Sequence, residues 1–196
     1  MSPLMFPKML FSHEEGWNWL TRIHPSVISM YLLYVLPLSI IPPAMLFYAW
    51  HSYRETWFTE VSMNQALSIC LVFFVAEMVV VPVMADVIRR IGQVAEATPS
   101  YQDAFTLAAV APTPLWIAPL FLFVPSLLVN SLVLALALLG AGMLIYQGSP
   151  KAFHVDDEGK ANLLAASVIA AGLVAWVVMM LAGFVVWGFV VAQAAV

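Results

Sequence analysis

From Ala161 to Val191 the chain carries no charged side chain. A run of about 20 mainly apolar residues is long enough to cross a bilayer as a helix. Four more segments meet that length: Val27 to Trp50, Met63 to Ile88, Ala104 to Val124 and Ser126 to Gln147. Lipid offers a backbone no hydrogen bonds, so each segment has to pair its N–H and C=O groups internally, as a helix does. None of the runs alternates apolar and polar residues as a membrane barrel does. Composition agrees. Only 9% of residues are charged and 63% are hydrophobic, with a mean hydropathy of +0.95. A soluble domain carries about 25% charged residues. The expected fold is an all-α integral membrane protein, a five-transmembrane-helix bundle over residues 26–196, with a cytoplasmic N-terminal segment over 1–25.

The cations set an orientation. Lys8 and Arg22 precede the first span, Arg89 and Arg90 follow the second, and Lys151 and Lys160 flank the turn between the fourth and fifth. With five spans these fall on one side and Arg54 alone on the other. The positive-inside rule then predicts a cytoplasmic N-terminus and a periplasmic or extracellular C-terminus. The opening residues are broken by Pro3, Pro7, Lys8, Glu14 and Glu15, which is not the pattern of a cleaved signal peptide. Ser12 and Glu15 have the spacing of a capping box. Trp17 and Trp19 suit the headgroup level. Together they predict a short interfacial helix on the cytoplasmic face.

Prolines Pro37, Pro42 and Pro43 interrupt the first span, and Pro112, Pro114 and Pro119 the third. Pro112 removes the helical donor from the Ala108 carbonyl, and Pro114 removes it from Val110. Such breaks set kinks that neighbouring helices absorb, and in some transporters they build ion and substrate sites. Small residues recur four apart at Ala137 and Ala141, Ala161 and Ala165, Ala166 and Ala170, and Ala171 and Ala175. That spacing predicts close helix packing, with helix five enclosed or paired and Ala165 and Gly172 near a contact.

The second half of the chain resembles a known family. "DAFTLAAVAPTPLWIAPLFLFVPSL", then "YQGSPKAF" and a charged turn into a last long helix, resemble the Ypt-interacting-protein (Yip) domain family, in its bacterial YohC-like inner-membrane branch. The matching residues are Ala108, Pro112, Pro114, Pro125, Tyr146, Gly148, Pro150 and Phe153, with "LFSHEEGW" before the first span. The resemblance implies a five-helix membrane domain with a cytoplasmic N-terminus. Eukaryotic members of the family associate with small GTPases in vesicle traffic. That role does not carry over to a chain that resembles the bacterial branch.

Chemistry-bearing residues are few. The single cysteine, Cys70, excludes an intrachain disulfide and a cysteine cluster. His13 and His24 would sit about 16 Å apart along a helix, too far to share a metal. "HVDDEGK" lacks calcium-loop spacing; Asp156 or Asp157 is expected to cap helix five. No hydrolase, P-loop or dinucleotide motif is present. No cofactor, catalytic residue or metal site is therefore expected, and a net charge of −4 gives no sign of nucleic-acid binding. Asp86 stands three and four residues before Arg89 and Arg90, spacings that favour a local ion pair.

The residue with most at stake is Glu77. In a span ending at Ile88 it would lie about 16 Å from the cytoplasmic end, where a charge costs at least about 2.5 kcal/mol. It should face the bundle. The expected partner is Thr113, or a carbonyl released by Pro112 or Pro114, tying helix two to helix three. The competing reading is a proton- or cation-handling site. The corresponding functions are a non-enzymatic scaffold or assembly factor acting through lipid, membrane-protein or homo-oligomer contacts, and a small transporter or channel using Glu77 and the broken third helix.

Overall fold

A computed structural model describes Gly16, Trp17, Leu20 and residues 23–58, 61–97 and 99–192. Five helices are long and apolar enough to cross a membrane: α1 (Val27–Ser52), α2 (Met63–Val94), α3 (Tyr101–Phe123), α4 (Leu127–Phe153) and α5, whose helix runs over Glu158–Ala192. Strands are absent among the described residues. The chain is an all-α membrane bundle.

The prolines decide how α1 and α3 are built. In α1 the stretch Tyr31–Val35 widens into a π turn, with the Leu36 N–H reaching back to the Tyr31 carbonyl. Pro37 has no N–H to continue the ordinary register, and the looser turn precedes it. The helix restarts at Ile41–Ser52, with Pro42 and Pro43 in its first turn, where a missing donor costs little. In α3 the regular helix Tyr101–Val110 stops at the Ala111–Pro112 turn, resumes over Thr113–Ile117 and tightens to a 3₁₀ helix over Ala118–Phe123.

Helices α2, α4 and α5 are continuous, and polar caps fix their starts. Ser62 and Gln65 form a capping box on α2, with the Ser62 N–H bonded to Gln65 Oε1 at 2.8 Å. Ser126 caps α4. At the start of α5, Asp157 Oδ1 accepts from the Lys160 N–H at 2.7 Å. After α2 the chain turns through Glu96 at φ 56°, with the Ala97 N–H on the Gly92 carbonyl. Gly92 is required there: a Cβ would sit 2.7 Å from both the Pro99 and Phe153 side chains.

Helix α2 packs against α1, α3 and α5, and α4 against α3 and α5. The dense core lies towards the end that carries Arg89, Arg90 and Lys151. There Phe105, Leu107, Ile88, Phe153, Leu164 and Val168 are almost fully buried. A smaller cluster closes the opposite end, where the Trp50 indole donates to the Val61 carbonyl at 3.0 Å and the Arg54 guanidinium stacks over its ring.

Several details differ from the sequence reading. Helix α2 continues past Ile88 to Val94, and α4 continues through Pro150 to Phe153. Trp17 does not lie at a headgroup surface: it is 3% exposed and its ring packs on Gly148. The Ser12–Glu15 cap, Trp19, Lys8 and Arg22 lie outside the described residues. Helix α5 is enclosed only in its first third, at Ala161, Leu164, Ala165 and Val168. Beyond that, Leu181, Phe184 and Phe189 are exposed, as are Ala166 and Ala170 on its outer face. Gly172 does lie near a helix contact as expected, since a Cβ there would meet Ile145 of α4 at 3.8 Å, an ordinary packing distance.

Candidate functional site

Two tyrosines from the π turn of α1 reach neighbouring helices at places where proline has removed a donor. In α2, Pro82 cannot bond the carbonyl four residues earlier, that of Met78. The Tyr31 hydroxyl donates to that carbonyl at 2.9 Å. In α3, Pro114 leaves the Val110 carbonyl free in the same way, and the Thr113 hydroxyl donates to it at 2.6 Å. Thr113 has one hydroxyl proton, so the 2.6 Å bond between it and the Tyr34 hydroxyl has Tyr34 as donor. Ser39, fully buried one turn on, sits 3.2 Å from the Met78 sulfur. Helix α1 thus holds both α2 and α3 through polar bonds placed on proline defects.

Thr113 is therefore already engaged, and the expected bond from Glu77 to Thr113 does not form. Helix α1 ties itself to the break in α3 through Tyr34, and Glu77 of α2 meets α3 at Trp116 instead of Thr113. Glu77 does face inwards, at 3% exposure. It stands about 21 Å from the start of α2 and about 26 Å from its end, the middle of the helix. The Trp116 indole is a side-chain donor to it, and Oε2 is buried without a hydrogen-bond partner.

Glu77 lines a partly open cavity of about 460 Å³ walled by all five helices. The wall is overwhelmingly apolar: Pro42 of α1, Val81 of α2, Leu115 of α3, Leu138 of α4 and Trp176 of α5 are typical. Pro112 lines it too; Thr113 and Pro114 do not. Its other polar member, Asn130, spends both amide protons on the Val124 and Ser126 carbonyls. The volume lies within the usual range of about 300–1,000 Å³ for small-molecule sites.

Away from the cavity, Arg90 takes the Asp86 carboxylate in an exposed pair, Nε to Oδ2 at 2.7 Å, and Arg89 makes no ion pair with it. Among the described residues no group of three or more His, Cys, Asp or Glu side chains is placed to hold a metal. The tyrosine bonds escaped the sequence reading because Pro82 sits inside a strongly apolar run. A proline four residues after a carbonyl is itself a readable signal.

The Yip1 domain model matches residues 8–179. The chain belongs to the Yip1 domain family. The matched region includes α1 to α4 and most of α5, so it holds the tyrosine bonds and all the cavity wall but Met180. This Yip1 domain protein is also similar to two curated proteins, each called inner membrane protein YohC, from Escherichia coli strains K12 and O6:H1. Each is 24% identical over 186 residues, covering 92% of this chain and 94% of the relative. No solved structure matches the chain.

Proposed function

We propose that this Yip1 domain protein is a non-enzymatic scaffold or assembly factor of a bacterial inner membrane. It works through contacts with lipid and with other membrane proteins, its N-terminus is cytoplasmic and its C-terminus is periplasmic. The inner-membrane assignment draws on the names of the similar E. coli proteins. The orientation draws on the placement of the cations.

The observation that carries the reading is the character of the cavity. An aqueous pathway needs polar groups along its length, and a cavity walled by Leu, Val, Met and Trp side chains stays dry. The space suits lipid contact better than water or ions. The alternative, a small transporter, is favoured by one observation: the cavity reaches a buried carboxyl.

Cysteine accessibility separates the two. In a Cys70→Ala background, Ala141→Cys places a thiol in the cavity wall and Asp156→Cys places one on an exposed turn. In nanodiscs, which expose both faces, a charged maleimide should label Asp156→Cys and leave Ala141→Cys unlabelled. Rapid labelling of Ala141→Cys would favour the water-filled path and defeat the scaffold reading.

A further inference from the structure

We infer that the cavity binds a neutral, membrane-soluble molecule with an apolar body and a hydroxyl group, and that the hydroxyl pairs with Glu77. The inference rests on the lipid-facing reading of the cavity and adds the chemistry of its occupant.

Three observations define that chemistry. The wall is apolar over almost its whole extent, so the body of the occupant has to be apolar. Glu77 is 3% exposed in that wall and Oε2 has no partner, an arrangement that folding alone does not favour. The carboxyl stands at the middle of α2, about 21 Å from its start, where an ionic ligand would have to leave water behind. A hydroxyl suits both forms of a carboxyl: it donates to a carboxylate and accepts from a carboxylic acid. A carbonyl or ether oxygen serves only the second form, and an ammonium only the first. Asn130 has no amide proton to offer the ligand, because both are held by its own helix start.

Gly142 makes the site testable without touching Glu77. It lines the cavity, and a Cβ at that position would meet nothing within 4 Å. Gly142→Leu therefore adds bulk to the cavity wall from a Cβ that meets no neighbour.

The full-length protein in phosphatidylcholine nanodiscs is photolabelled with a diazirine-bearing hexadecanol, and in parallel with the matching diazirine-bearing hexadecane. The alcohol should label cavity residues of α5, such as Trp176 and Met180, saturably, and about five- to tenfold more than the alkane, the ratio one hydrogen bond gives. Glu77→Gln, which still pairs with a hydroxyl, should retain that preference, and Glu77→Leu should lose it. Gly142→Leu should abolish labelling while keeping the melting temperature at or above that of the parent. Unlabelled competitors identify the source: competition by dioleoylglycerol assigns a glycerolipid, and competition by hexadecanol alone assigns a free long-chain alcohol. Equal labelling by alcohol and alkane, or no effect of either competitor, overturns the inference. So does undiminished labelling in Gly142→Leu, which decides the matter even if Glu77→Leu does not fold. A cavity open to charged maleimide would defeat the lipid-facing reading. A dry cavity with no preference for the alcohol defeats this inference alone.

Discussion

Replacing Tyr31 with phenylalanine removes one hydroxyl and leaves the ring, which packs near Phe105 with centroids 6.2 Å apart. The hydroxyl it removes is bonded to the Met78 carbonyl. Two magnitudes compete for the cost. Side-chain hydrogen bonds in membrane bundles average only about 0.6 kcal/mol, because the separated helices find other partners. A buried acceptor left with no donor costs about 1–3 kcal/mol. Pro82 decides between them, since it removes the backbone N–H that would otherwise bond the Met78 carbonyl. Tyr31→Phe should therefore cost about 1–2 kcal/mol. In a Pro82→Ala background residue 82 regains its N–H, the Met78 carbonyl has a helical donor, and the same Tyr31→Phe should cost less than about 0.5 kcal/mol. The four proteins form a double-mutant cycle with a coupling of about 1 kcal/mol, read by reversible unfolding in mixed micelles. Equal costs for Tyr31→Phe in both backgrounds, within about 0.3 kcal/mol, would refute the argument that the hydroxyl serves the proline-freed carbonyl.

Thr113→Val should lower stability by about 2 kcal/mol, because it removes both the bond to the Val110 carbonyl and the bond from the Tyr34 hydroxyl, while Thr113→Ser should stay near the parent in the same unfolding assay. Gly92→Ala should cost about 1–3 kcal/mol by forcing the Pro99 and Phe153 rings apart, seen as a lower melting temperature. Reporter fusions after Arg54 and after Val196 should both read as outside the cytoplasm and one after Arg90 as inside; a cytoplasmic Val196 would contradict the orientation.

The existence of the five helices was legible because lipid leaves a long apolar run only one way to satisfy its backbone. Their ends were not, because that constraint lapses where the chain leaves the bilayer. Helix α2 carries Arg89, Arg90 and Gln93 into its extension, residues that an apolar-run criterion discards. The apolar run of the fourth span ends at Gln147, yet Pro150 in the last turn of α4 costs only one carbonyl bond, and the helix runs on to Phe153. That Glu77 faces inwards followed from the cost of meeting lipid. Its partner did not follow, because the choice depends on how one helix is rotated against another. Thr113 was read as free to bond across to α2, but its hydroxyl serves the carbonyl that its own neighbour Pro114 releases. The tyrosines of α1 were invisible for the same reason: nothing local in "YLLYV" says that it lies beside Met78 and Thr113.

The two tyrosine bonds also bear on how the protein is made. Of the five spans, α1 is synthesised first, and it enters the membrane with hydroxyls whose partners lie 47 and 79 residues downstream. Until Thr113 has been translated, Tyr34 cannot form its bond to the Thr113 hydroxyl. The same holds for Tyr31 until α2 has inserted. Helix α1 thus reaches lipid before these two bonds can form, and it should stay available to the insertion machinery until α3 arrives to seat it. Nascent chains arrested before Thr113 should remain crosslinkable to that machinery through α1, and chains extended beyond α3 should be released.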